Sequence, residues 1–107
     1  MTFYIKRNDT SPAMLATLQD ANGDAVDITA ASVRFHMWPI SSKVVKVDAD
    51  AVIVTADQGL VRYDWNAADT NAIGSFQAEF EVTYADTTVE TFPNDGYIRV
   101  EIISDIA

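Results

Sequence analysis

The sequence contains no cysteine, and this absence excludes disulfide bonds, thiolate metal sites and cysteine nucleophiles. The disulfide that joins the two sheets of an antibody domain is excluded with them. Glycine occurs only four times, at predicted turns, so no glycine-rich phosphate-binding loop is present. His36 is the only histidine, and a zinc site there would need carboxylates for every other ligand. No serine lies in a G-x-S-x-G motif, and the sequence therefore predicts a protein that is not an enzyme and holds no cofactor or metal.

Basic residues and long apolar runs are also scarce. Seven Lys and Arg stand against sixteen Asp and Glu, which gives a formal net charge of −9. This charge repels nucleic-acid phosphates and anionic lipid head groups, so we expect protein partners rather than nucleic acid or a membrane. No run approaches the roughly 18 apolar residues of a membrane span, and the first residues lack the apolar stretch of a signal peptide. We therefore expect a soluble protein made in the cytoplasm.

The composition of the chain is otherwise that of an ordinary globular protein. Apolar residues make up 49% of the 107 positions and charged residues 21%, which argues against disorder. A chain of this length usually folds around one core. We expect a single domain over residues 1–107.

The clearest pattern in the sequence lies in residues 73–84. From Phe76 onward, apolar and polar residues alternate, which is the period of a strand with one buried and one solvated face. The apolar face carries Phe76, Phe80 and Tyr84, and burial of one such side chain contributes roughly 1.5–3 kcal/mol. We expect this segment to be a central strand that other strands cover.

Eight further segments are rich in aromatic or β-branched residues and are separated by polar turns. They are residues 2–7, 13–19, 32–38, 43–47, 51–55, 60–65, 88–92 and 97–103. Residues 20–24 and 48–50 are predicted turns, residues 27–32 allow one helical turn, and residues 66–71 are a predicted helical corner. Turns every 8–12 residues are typical of an antiparallel sandwich or barrel.

An immunoglobulin-like (Ig-like) corner is predicted just before the central strand. Asp69 and Thr70, followed by Gly74, Phe76 and Ala78, match the corner at which Ig-like domains turn into strand F. Phe76 lacks the hydroxyl of a tyrosine corner, and Ala78 stands where an antibody domain has cysteine. We therefore predict an all-β fold, an Ig-like antiparallel β-sandwich of about eight or nine strands, without antibody chemistry.

Two acidic motifs imitate sites and are better interpreted as structure. Glu79 and Glu81 lie two apart on one strand face, so their carboxylates are about 6–7 Å apart, a separation that glycosidase pairs also show. Their polar neighbours favour a solvated face instead. Asp20-x-Asn22-x-Asp24 imitates the start of a calcium loop, but alanine replaces the glycine and the glutamate that the loop requires. We predict a hairpin turn there.

One face of the strand at residues 32–38 is a candidate protein-contact site. The alternation of this strand places Arg34, His36 and Trp38 on the face opposite its apolar residues. Tryptophan and arginine are enriched at interfaces. The alternative is that Trp38 covers a second core face while Arg34 pairs with an acidic residue.

The N-terminal segment is the second candidate contact site. Phe3 and Tyr4 lie beside Lys6 and Arg7, and no other basic and aromatic cluster of this kind occurs on the acidic chain. We expect docking through this segment together with sheet edges or loop tips. Deletion of residues 2–7 would test this expectation.

Four segments of the chain resemble a known family. They are F-Y-I-K-R-N-D-T-S-P at 3–12, V-R-F-H-M at 33–37, G-L-V-R-Y-D-W at 59–65, and F-Q-A-E-F-E-V-T-Y with its T-V-E-T-F-P-N-D-G-Y continuation at 76–97. In order and spacing they resemble the N-terminal domain of siphophage baseplate upper proteins, an Ig-like β-sandwich of tailed-phage virions. The likeness covers nearly the whole chain.

The resemblance implies a non-catalytic module that docks onto the tail-tip scaffold and carries receptor-binding proteins through a C-terminal extension. The sequence stops at Ala107, directly after the last predicted strand, so we expect a small virion subunit that contacts other virion proteins or further copies of itself. The first hypothesis is a baseplate or tail accessory subunit, and the second is a head decoration or neck protein that stabilises neighbouring capsid subunits. A third hypothesis, a carbohydrate-binding module, depends on Trp38, Trp65 and the Glu79 and Glu81 pair.

Overall fold

The computed structural model describes residues 2–106, and nine β-strands form most of the regular structure in this range. The strands are β1 (Thr2–Lys6), β2 (Met14–Thr17), β3 (Ser32–Pro39), β4 (Val47–Asp50), β5 (Val52–Thr55), β6 (Leu60–Tyr63), β7 (Gly74–Thr83), β8 (Val89–Phe92) and β9 (Ile98–Ile103). Two short 3₁₀ helices, Ala56–Gln58 and Ala67–Thr70, occur among these residues, and no α-helix does.

The strands of residues 2–106 form two sheets that pack against each other. The larger sheet has the order β1-β9-β7-β3-β4, and β8 pairs with the second half of β7. The smaller sheet has the order β2-β6-β5. The edge strand β1 runs parallel to β9, whereas the other strand pairs in the described range are antiparallel. The predicted all-β, Ig-like sandwich is confirmed.

β7 is the strand that the alternation in residues 73–84 predicts, and it lies in the middle of the larger sheet. It pairs with β3 along one side and with β8 and β9 along the other. Its inward side chains, Phe76, Ala78, Phe80 and Val82, are all buried. The alternation therefore predicted both the position of the strand and its buried face.

Aromatic side chains join the two sheets at the centre of the core. Phe35 of β3 stacks on Tyr63 of β6 with ring centroids 4.2 Å apart, and it lies 5.2 Å from Phe80. Trp65 meets Tyr63 and Phe35 edge-on, at 5.1 and 5.6 Å. Such pairs contribute about 0.5–1.5 kcal/mol each beyond the area that they bury. This cluster holds the sheets together without a disulfide.

The corner before β7 is closed by a tyrosine hydroxyl from another strand. The hydroxyl of Tyr63 donates to Asp69 Oδ2 at 2.5 Å, and the same oxygen accepts the backbone N–H of Asn66 at 2.9 Å. Burial raises the pKa of Tyr63 above its usual value, and the Asp69 carboxylate adds to the effect. The predicted helical corner is present as the 3₁₀ helix Ala67–Thr70.

Residues 43–50 differ from the prediction. Residues 43–46, which were predicted to be part of a strand, have no regular structure. Val47 and the predicted turn at 48–50 together form β4. Lys43 has a φ of +55°, which is outside the region that a strand requires. Asp48 and Asp50 lie next to Arg34 of β3, and this opposite-charge pairing explains why an acidic segment forms a strand.

Residues 27–31 form a short connection into β3 with a tight turn, in place of the helical turn that the sequence allows. The backbone N–H of Ala31 donates to the carbonyl of Ile28 at 3.0 Å, and Ala30 has a φ of +63°. Ile28 is buried in the core and anchors this connection between the sheets.

Candidate functional site

The solvent face of the larger sheet carries polar and aromatic side chains in transverse rows. Strand register brings these residues together from β4, β3 and β7, because residues opposite one another on adjacent strands face the same side. The rows are Asp50, Arg34 and Glu81; Asp48, His36 and Glu79; and Trp38 with Gln77. The predicted grouping of Arg34, His36 and Trp38 on one face agrees with this register.

Arg34 binds two acidic residues of the edge strand β4. Its Nη1 donates to Asp50 Oδ1 at 2.8 Å, and its Nη2 donates to Asp48 Oδ1 and to the Asp48 carbonyl, each at 2.8 Å. Its Nε donates to Asp48 Oδ1 at 3.1 Å. The Arg34 guanidinium holds the pKa of the Asp48 carboxyl below its usual value. Arg34 therefore pairs with acidic residues, as the alternative to a protein-contact role predicts.

His36 lies between two carboxylates. Its Nε2 is 3.1 Å from Asp48 Oδ1, and its Nδ1 is 3.4 Å from Glu79 Oε2. A neutral imidazole has one N–H donor, whereas a protonated one has two. Neutral His36 therefore donates to one of these carboxylates at a time, and the protonated ring can donate to both.

A groove of about 370 Å³ opens on this face, over the middle of β3 and β7. Trp38, Tyr97 and Val45 line it together with the polar side chains Gln77 and Glu79. The indole Nε1 of Trp38 donates to Gln77 Oε1 at 2.8 Å, which fixes the orientation of the ring. Trp38 is 36% exposed and Tyr97 is 44% exposed. The groove is therefore an accessible site with aromatic walls.

Sequence reasoning did not include Tyr97 or Val45 in the site. Tyr97 directly precedes β9, whose first residue pairs with Ala78, so the next position outward brings Tyr97 towards Glu79. The alternation of residues in the last strand places Tyr97 and Arg99 on one face, and this pattern could have indicated that Tyr97 lies at the site. Val45 lies in the loop before β4, and no local pattern predicted its position.

Phe3 and Trp65 belong to the core and not to a contact surface. Phe3 faces inward from β1, is partly buried and stacks on Trp65 with ring centroids 5.7 Å apart. Trp65 is only 4% exposed, so it is not accessible to a glycan. In a carbohydrate-binding module, Trp38 could therefore contact a glycan, whereas Trp65 could not.

The remaining residues of the N-terminal cluster lie at the surface. Tyr4 and Lys6 point to solvent from β1, with Tyr4 64% exposed. Arg7 follows the strand and lies 3.6 Å from Asp105. Tyr4 and Lys6 lie on the solvent face of the larger sheet. Arg7 lies beyond the end of β1 and pairs with Asp105. Their role in docking stays a prediction.

The acidic motifs have the local structure that the sequence predicted. Glu79 and Glu81 lie on the solvent side of β7, and neither is buried. Asp20 Oδ1 accepts the backbone N–H groups of Asn22 and Asp24 at 2.9 and 3.1 Å, which closes the hairpin turn. Within residues 2–106, no group of three or more His, Asp or Glu side chains is arranged to hold a metal ion.

Comparisons with known proteins do not assign the chain to a family. No protein-family model matches the sequence, and no curated protein matches it. Among the residues that the structure describes, no helix is long and apolar enough to cross a membrane.

Proposed function

We propose that the chain is a non-enzymatic structural protein of a tailed-phage virion, a baseplate or tail accessory subunit that acts through protein–protein contacts. One observation carries the proposal. The Ig-like fold that the resemblance implies is the fold of the chain, and the segments that carry the resemblance supply β1, β3, β6, β7 and β8 of the sandwich. The solvent face of the larger sheet, with its exposed tryptophan, is the surface that we assign to docking.

The test is the protein composition of purified particles. Particles from a host culture that produces the phage encoding this chain are purified by density gradient and quantified by mass spectrometry. We expect the chain in a fixed number of copies per particle. Its loss during purification, at a yield below one copy per particle, contradicts the proposal.

Gold-labelled antibody then separates the two positions on the particle. Labels at the tail tip agree with a baseplate or tail subunit, whereas labels along the head lattice indicate a head decoration or neck protein and contradict the tail assignment. Both outcomes keep the chain in the virion, which is the part of the proposal that mass spectrometry decides.

A carbohydrate-binding module is a second candidate, and the groove favours it. Trp38 and Tyr97 provide two exposed rings, and Gln77 and Glu79 provide hydrogen-bonding groups between them. Binding on a glycan array that Trp38→Ala abolishes supports this candidate. Trp65→Ala is unsuitable as the test variant because Trp65 is part of the core.

A further inference from the structure

The rings of Trp38 and Tyr97 line the groove and lie outside the aromatic cluster of the core. The close ring contacts of the core join Phe35, Tyr63 and Trp65, and neither Trp38 nor Tyr97 takes part in them. Exposed aromatic faces attract cations through their quadrupole. The walls of the groove are therefore suited to a positively charged group.

Acidic side chains outnumber basic ones around the groove. Arg34 is already held by the carboxylates of β4, and Arg99 in the neighbouring strand lies 2.9 Å from Glu101. Glu79 has His36 as its partner, and within residues 2–106 no lysine or arginine lies within 4 Å of it. On the solvent face of β3, β4 and β7, the single arginine stands against four carboxylates, those of Asp48, Asp50, Glu79 and Glu81.

We propose that this groove binds an arginine or lysine side chain presented by a partner protein, with Glu79 as its counter-ion and the rings of Trp38 and Tyr97 beside the cation. The charge of the face selects a cation over an anion. Arginine is favoured over lysine, because its planar guanidinium is weakly hydrated, stacks on aromatic rings and binds carboxylates with two N–H groups. The identity of the partner, a neighbouring virion protein, rests on the proposed function, but the chemistry of the groove does not.

Binding is tested by an amide NMR titration of the isotope-labelled chain with Nα-acetyl-arginine amide at neutral pH. We expect saturable shifts of the Trp38 indole N–H and the Tyr97 amide. Nα-acetyl-citrulline amide has nearly the same shape without the charge, and we expect it to bind at least about five-fold more weakly. Equal affinity for the two ligands would overturn the proposal.

Two matched variants locate the binding to the groove. Glu79→Gln removes the proposed counter-ion and is expected to weaken arginine binding about five-fold or more. Glu81→Gln makes the same change two residues further along the same face, outside the groove lining, and is expected to leave binding unchanged. An equal effect of both variants, or of neither, contradicts the proposal. Methyl glycosides that shift the same signals when arginine does not would replace it with the carbohydrate-binding candidate.

Incorporation into particles separates this inference from the proposed function. If Glu79→Gln and the wild-type chain enter particles equally well, the groove is not the docking site and the virion function stands. If Glu79→Gln is depleted and Glu81→Gln is not, both stand. If the wild-type chain is not a particle component, the virion function fails and the NMR titration alone decides what the groove binds.

Discussion

Gly59 lies where three segments of the chain approach one another. Its φ is +62°, and a Cβ at this position would lie 2.7 Å from the carbonyl oxygen of Val26 and 2.9 Å from that of Leu18. Gly23 also has a positive φ, of +84°, but a Cβ there would meet no atom within 4 Å. A substitution at Gly23 therefore measures the cost of backbone strain alone, whereas one at Gly59 adds the cost of a steric clash.

We predict that Gly59→Ala lowers the free energy of unfolding more than Gly23→Ala does. Strain at a left-handed position costs about 1 kcal/mol, and this is the expected cost at Gly23. At Gly59 the backbone must also shift to relieve the clash, so we expect about 2–4 kcal/mol. Urea unfolding measures both values, and equal costs would contradict the close approach at Gly59.

Tyr84 gives the fold a dependence on alkaline pH. Burial, assisted by the hydrogen bond from its hydroxyl to Glu90 Oε1 at 2.7 Å, raises the pKa of Tyr84 to about 12. An unfolded tyrosine titrates near pH 10. Because the folded pKa is the higher one, the stabilisation is fully present below about pH 10 and is lost as the pH rises through about 12.

We predict that the stability advantage of the wild-type chain over Tyr84→Phe shrinks from pH 9 to pH 12. At pH 9 the wild type keeps a hydrogen bond worth about 1 kcal/mol. Between about pH 10 and pH 12 the hydroxyl ionises in the unfolded chain before it ionises in the folded one, and this difference favours the unfolded state. Urea unfolding of both chains across this range measures the difference. A difference that stays constant would show that the hydroxyl does not titrate as its surroundings require.

At the scale of elements, Arg34 makes most of the polar side-chain contacts between β3 and β4, and His36 adds one contact to Asp48. Arg34 reaches both carboxylates and one carbonyl of β4, and lysine cannot make these four hydrogen bonds at once. We predict that Arg34→Lys increases amide hydrogen exchange in β4 by about two- to five-fold. Arg62→Lys is the matched control, because Arg62 pairs with Asp64 outside the larger sheet. Unchanged exchange in β4 would contradict this role of Arg34.

The edge strand β1 combines a core role with an exposed face. Ile5 is buried and Phe3 packs on the core, so deletion of residues 2–7 would damage the fold as well as any contact surface. Point variants on the solvent side avoid this difficulty. We predict that Tyr4→Ser with Lys6→Glu keeps the urea midpoint of the wild type and lowers incorporation into particles. Wild-type incorporation would show that β1 is not a contact.

Local patterns predicted the elements whose side chains face one core. The alternation of β7 fixed its span and its buried face, because every second residue from Phe76 to Val82 is apolar. The same reasoning failed at β4, where Asp48 and Asp50 have the composition of a turn. Their partner Arg34 lies 14 and 16 positions earlier, and a pairing at this distance cannot be read from a local window.

The candidate site was predictable only in part for the same reason. Arg34, His36 and Trp38 lie on one strand, and alternation alone placed them on one face. Tyr97 and Glu79 come together through the register of β7 and β9, which depends on tertiary structure. In β1 the alternation of Phe3 and Ile5 with Tyr4 and Lys6 carries the same signal, and it places Phe3 with the buried Ile5 and not on the contact surface.

At the scale of the whole molecule, the excess negative charge is unevenly distributed over the surface. The chain carries a formal net charge of −9, and the solvent face of the larger sheet places several of its carboxylates around one groove. A strongly acidic protein attracts basic partners and repels further copies of itself. If the chain is a virion subunit as proposed, we therefore expect its neighbour on the particle to present a basic surface.

The proposed docking role of the larger sheet is best tested by electron cryomicroscopy of intact particles. We expect density for the sandwich on the particle, with the solvent face of the larger sheet against a neighbouring protein and a basic side chain in the groove beside Trp38. Density that places this face towards solvent, with the contact made elsewhere, would overturn that role.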